Sequence, residues 1–177
     1  MEVQEKDELK QIRDRLAVTP KMVWDQVDEA ERAAIFAYGD HYKTFLDRAK
    51  TEREAVVEIE RQAKALGFVD LTGKETGPRG YYNYRGKVIV LVVQGRRPLS
   101  EGLRIVASHI DSPRLDLKQY PLYEDTDLAF LKTHYYGGIK KYQWLARPLA
   151  IHGVVVRADG SRVHLTIGED PKDPVFS

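Results

Sequence analysis

The chain has 177 residues, 42% hydrophobic and 31% charged, with a formal net charge of +1 and no cysteine. That is the balance of one globular domain, and it carries no electrostatic footprint for nucleic acid. It excludes disulfides and thiolate metal sites, and no apolar run approaches the roughly 20 residues needed to span a bilayer. A cysteine-free chain with a charged N-terminus that lacks a signal-peptide core is expected in the cytoplasm. Any metal would have to be held by histidine and carboxylates.

Residues 2–17 alternate charge, with Leu9, Ile12 and Leu16 at helical spacing, and predict a short surface helix or arm. Thr19-Pro20 is a helix-start pair, so a short helix is expected over about 20–26. A longer helix is expected from Asp28 to Arg48. In it Ile35, Tyr38, Tyr42, Phe45 and Ala49 form one apolar stripe, which predicts burial. His41, beside the stripe, reads as a surface residue. Thr51 with Glu54 fits a capping box. Val56, Ile59, Ala63 and Leu66 form the stripe behind it, and Gly67 supplies the C-cap, giving a helix over about 52–66.

Residues 70–80 are rich in turn-formers. A hairpin follows, Gly80–Arg85 with Lys87–Gln94, turning near Arg85-Gly86. Its second strand is apolar on both faces and is expected inside a sheet covered on both sides. Tyr81, Tyr82, Tyr84 and Arg85 are residues that can stack RNA bases, but the RNP signature is missing and the net charge is near zero.

Leu103–Ala107 is an apolar, β-branched run that opens onto His109-Ile110-Asp111-Ser112-Pro113, and it predicts a buried strand that stops there. Side chains two apart on a strand point the same way, so His109 and Asp111 are expected on one face at its end. Spacing leaves two readings open. One is a metal-binding histidine with its orienting carboxylate; the other is a His and an Asp bonded to turn backbone. Strands are expected at 115–121 and 128–133, broken by His134 to Gly138. A further hairpin, Leu149–Val156 with Arg162–Ile167, turns at Asp159-Gly160. His152 and His164 read as facing residues of that sheet rather than ligands. Helices thus dominate to about residue 67, a helix-covered sheet follows, and only strands are expected from about 115.

Three segments resemble the M18 family of metallo-aminopeptidases. His109-Ile110-Asp111-Ser112-Pro113 resembles its His-x-Asp-Ser-Pro metal motif. Tyr136-Gly137-Gly138-Ile139, with Trp144 and Arg147-Pro148-Leu149, is similar to its Tyr-Gly-Gly-Gly-x-Trp and Trp-x-Asp-Arg-x-Leu segments. Gly168-Glu169-Asp170 through Asp173-Pro174-Val175-Phe176 resembles the bacterial members. Lys140 and Ala146 depart from the family pattern, which has a bulky aromatic and an acid at those positions.

The resemblance implies an α/β fold: N-terminal helices, then part of an α/β/α zinc-peptidase sheet, then the start of a β-rich inserted domain. The implied divisions are a helical extension over 1–40, catalytic-domain residues 41–147, and the start of an oligomerisation insert over 148–177. It further implies a zinc-dependent aminopeptidase acting on peptides, with two Zn2+ per active site in the complete protein and homo-oligomer assembly. No nucleic-acid or membrane partner is implied. His109 would ligate one metal and Asp111 would orient it. The family's Glu-Glu pair, which supplies the general base, is absent, as are the later ligands. The chain is therefore expected to be an N-terminal piece of a longer protein. The alternative is a non-catalytic homologue acting as an assembly partner.

Overall fold

The structure, a computed structural model, describes residues 2–18 and 20–177, with the backbone alone for residues 2–6 and 8. It divides into two compact units, residues 1–44 and 45–177. Thr19, the expected N-cap, lies outside the described residues.

In the first unit, α1 spans Glu2–Leu16 and leaves Leu9, Ile12 and Leu16 exposed. In place of the short helix expected over 20–26 there is a single 3-10 turn, Val23–Asp25. Its Trp24 ring lies 6.1 Å from that of Phe36 and 5.3 Å from the Arg32 guanidinium. Helix α2 runs Glu29–Arg48, close to the expected span. Its aromatic stripe is not core, however: Ile35, Tyr38 and Tyr42 are exposed, and of the stripe only Ala49 is buried. Amphipathic spacing reports what a face can do, whereas burial also needs a covering layer.

The core of the second unit lies between α3 and a small sheet. Helix α3, Glu52–Ala65, begins with the capping box. The Thr51 hydroxyl accepts from the Glu54 amide at 3.3 Å, and Glu54 Oε2 accepts from the Thr51 amide at 2.9 Å. Thr51→Ala removes one of these bonds, so α3 is expected to lose about 1 kcal/mol of stability. A urea titration followed by far-UV circular dichroism would show the lower midpoint, and an unchanged midpoint would contradict the assignment.

The sheet has the order β1-β2-β3. Strand β1, Val69–Asp70, is parallel to β2, Arg79–Tyr84, which is antiparallel to β3, Val88–Val93. Arg85 and Gly86 sit at φ 56° and 67°, the two left-handed positions that suit a tight hairpin. Ala49, Ala55, Val56, Ala63 and Tyr81 make up the buried apolar set. Glu58 is buried beside them. Arg61 grips it through bonds of 2.8 and 2.7 Å, and Gln62 donates at 2.9 Å. The Arg61 bonds are the main reason its carboxyl is held down at about 2. Farther along α3, the half-buried Glu60 accepts from Asn83 at 2.7 Å, tying helix to hairpin.

Two expectations fail here. Strand β3 packs against α3, but no second layer covers it among the described residues, and Val88 and Val90 to Val93 are exposed. Leu103–Ala107 forms no strand, and Val106 is 98% exposed. Both segments have β-branched sequences, but β3 has the β2 edge to pair with and forms a strand, whereas Leu103–Ala107 pairs with no strand among the described residues.

Two further antiparallel pairs complete the unit. Strand β4, Arg114–Asp125, pairs with β5, Leu128–Tyr136, with a register shift between Leu117 and Leu122. Strand β6, Ile151–Val156, pairs with β7, Arg162–Ile167, as expected from Asp159-Gly160. A short helix α4, Lys141–Trp144, interrupts the strand-only region, and Leu149 bridges to Phe176.

Candidate functional site

Residues 108–113 are irregular and run directly into β4. Register pairs Arg114 with Tyr136, so the end of β5 lies beside the His109–Asp111 loop. Gly137 follows at φ 74°, a left-handed conformation that favours glycine, and lies in ordinary contact range of Pro113.

The structure brings His109 and Asp111 together by loop geometry rather than by strand alternation. His109 Nδ1 lies 3.0 Å from the Asp111 carbonyl oxygen and 3.1 Å from Asp111 Oδ1. Both are acceptors, so Nδ1 carries the proton. A neutral ring then keeps its lone pair on Nε2. The side chain is 84% exposed.

The second Asp111 oxygen accepts from the Tyr136 hydroxyl at 2.6 Å. That bond is the main cause holding the Asp111 carboxyl below the usual carboxylate range, and the same contact raises Tyr136. Over the Tyr136 ring, at 4.2 Å, sits the Arg114 guanidinium. Arg114 Nε bonds Asp116 at 2.7 Å, and its Nη1 lies 3.9 Å from Glu52 at the start of α3. These groups border an open cavity of about 460 Å³ lined by Glu52, Lys87, Ile89, His109, Asp111 and Tyr136.

An imidazole fixed at Nδ1 by a carboxylate is a suitable zinc donor. A catalytic zinc needs about three protein ligands, and no group of three or more candidate ligands could hold a metal ion among the described residues. His109 is thus a single candidate donor and, among the described residues, not a complete metal site.

Sequence spacing missed a second cluster. His152 was expected to be a facing residue of a sheet, away from any carboxylates. In the structure its ring sits between two of them: Nδ1 lies 2.8 Å from Glu54 Oε1 and Nε2 lies 2.9 Å from Glu169 Oε1. Burial alone would lower its pKa, but the two carboxylates outweigh that and the net direction is up. Gly168, at φ 102°, turns the chain closely past Ala150 to deliver Glu169; a Cβ there would meet Ala150 Cα at 3.0 Å. His164 is exposed, as a facing residue of β7. Tyr136 was visible only as part of the Tyr-Gly-Gly segment, and nothing local marked Arg114 or Glu52.

Comparison with known proteins gives the family of the chain. The family profile for aminopeptidase I zinc metalloproteases (M18) matches residues 45–177. A probable M18 family aminopeptidase 1 of Clostridium acetobutylicum is 51% identical over 163 residues, covering 88% of this chain and 35% of the relative. Aminopeptidase I of Borrelia burgdorferi B31 superposes with a TM-score of 0.81 at 41% identity, over 88% of this chain and 39% of that one. An M18 aminopeptidase of Thermotoga maritima gives a TM-score of 0.79 at 45% identity, over 90% and 35% of the two chains. The chain spans about a third of the length of the curated relatives it matches. The chain belongs to the M18 family of aminopeptidase I zinc metalloproteases.

Proposed function

We propose that this chain is part of a zinc-dependent aminopeptidase that removes N-terminal residues from peptides, with His109 as one metal donor and Asp111 as its orienter. The observation that carries the reading is 51% identity to an M18 aminopeptidase over most of the chain. The loop geometry supports it: one carboxylate fixes Nδ1 and leaves the exposed Nε2 available as a donor. Two zincs per site, supplied with ligands by further chain, belong to the same proposal. So do the divisions at residues 40 and 147. A homo-oligomer is proposed on the open edges of the β4–β5 and β6–β7 pairs, which are ready to accept other strands. A cytoplasmic location is proposed on the cysteine-free composition.

The test compares this chain with a chain of the relatives' full length. The longer protein is expected to hydrolyse peptides from the N-terminus, to lose activity on chelation and to regain it with zinc. The 177-residue chain alone is expected to bind zinc weakly and to show no turnover. About two tightly bound zincs in the short chain, or activity in it that His109→Ala abolishes, would overturn the division of labour. A full-length chain without metal-dependent activity would favour the non-catalytic assembly partner.

A further inference from the structure

We propose that Tyr136 is a positioning residue for this site: its hydroxyl holds the Asp111 carboxylate in the orientation in which Oδ1 joins the Asp111 carbonyl oxygen as acceptor for the proton on Nδ1 of His109. The proposal rests on the reading of His109 as a donor through Nε2.

Asp111 belongs to an irregular segment without ladder bonds of its own. A carboxylate on such a loop is free to turn about its side-chain torsions, and a turn would leave His109 Nδ1 with the Asp111 carbonyl oxygen at 3.0 Å and without its charged acceptor. The side-chain bond that reaches Asp111 from another element is the one from Tyr136, 25 residues along the chain. At 2.6 Å it falls in the range of a charge-assisted O–H to carboxylate bond. The two carboxylate oxygens are divided, Oδ2 to Tyr136 and Oδ1 to His109. Rotating the carboxylate therefore breaks both contacts together.

Tyr136 is itself fixed from two sides. Its backbone pairs with Arg114 in the β4–β5 ladder, and the Arg114 guanidinium covers its ring at 4.2 Å. Asp116 pins that guanidinium at 2.7 Å. A rigid aromatic hydroxyl on a paired strand thus holds a group on an unpaired loop, the division of work expected of a support behind a donor.

The experiment reads the tautomer of His109 by 15N–1H correlation of the histidine rings in the 177-residue chain at a pH where the ring is neutral. In the native sequence the Nδ1–H form is expected to predominate. Tyr136→Phe keeps the ring and the Arg114 stacking and removes only the hydroxyl; it is expected to lower the ratio of Nδ1–H to Nε2–H about threefold. Asp111→Ala is expected to lower it further. An unchanged ratio in a folded Tyr136→Phe chain, judged by unaltered amide resonances elsewhere, would overturn the proposal. Should Tyr136→Phe fail to fold, the hydroxyl proton of Tyr136 replaces it as the readout. A slowly exchanging resonance in the native chain that Asp111→Ala abolishes supports the bond, and absence of any such resonance overturns it. Neither measurement uses metal or peptide, so an inactive full-length protein would sink the peptidase reading and leave this result standing.

Discussion

Replacing Val56 with aspartate is expected to unfold the layer made by α3 and the β2–β3 hairpin. Among the described residues Val56 is the largest fully buried side chain, at 0% exposure, and the other buried apolar residues are three alanines and Tyr81. A carboxylate in its place would lose its water and meet no partner, which costs several kcal/mol even when the group takes up a proton. Small domains hold only about 5–15 kcal/mol in total, and this core is small. Val56→Ala separates chemistry from size: it deletes two buried carbon groups and leaves a small cavity, for a loss of about 2 kcal/mol. Urea titrations followed by circular dichroism should therefore show a cooperative transition at a lower midpoint for the alanine variant and none for the aspartate variant. An aspartate variant that melts within about 1 kcal/mol of the native chain would show that α3 and the hairpin do not share a core.

The parts of this fold that were legible in the sequence are those decided within a few residues. Thr51 and Glu54 satisfy each other's amides three residues apart, so the start of α3 could be read directly. Arg85-Gly86 and Asp159-Gly160 set hairpin registers that the strands then followed. The misreadings share one physical cause. Leu103–Ala107, the face of β3 away from α3 and the exposed part of the α2 stripe have the composition of buried elements, but burial depends on what else is present to cover them. Among the described residues nothing does, and the chain spans about a third of its relatives' length. The site divides in the same way. His109 and Asp111 stand two apart and could be singled out, while Tyr136 reaches Asp111 across 25 residues and Glu54 reaches His152 across 98. No local pattern encodes contacts of that span. They follow from strand register and from where the turns at Gly137 and Gly168 aim the chain.

The contact across 98 residues leads to the second large effect: stability is expected to fall as the pH rises above about 6.5. Glu54 and Glu169 both accept, so the His152 ring satisfies both only when each nitrogen carries a proton, which makes it an imidazolium. Its pKa is raised in the folded chain, so the folded state holds the proton more tightly than the unfolded one. The stabilisation is therefore complete below the unfolded value of about 6.5 and is lost as the pH climbs through the raised folded value. Two charge-assisted bonds are at stake on a side chain 12% exposed, but Glu169 is half exposed and its share is screened. Together they contribute about 2 kcal/mol. His152→Ala should remove that amount at pH about 6 and flatten the decline toward pH about 9, because the titrating group is gone. Urea midpoints for both chains at the two pH values decide the matter. If both chains weaken equally on going to the higher pH, or the native chain grows more stable, the ring is not held as an imidazolium and β6 is not clamped to α3 by charge.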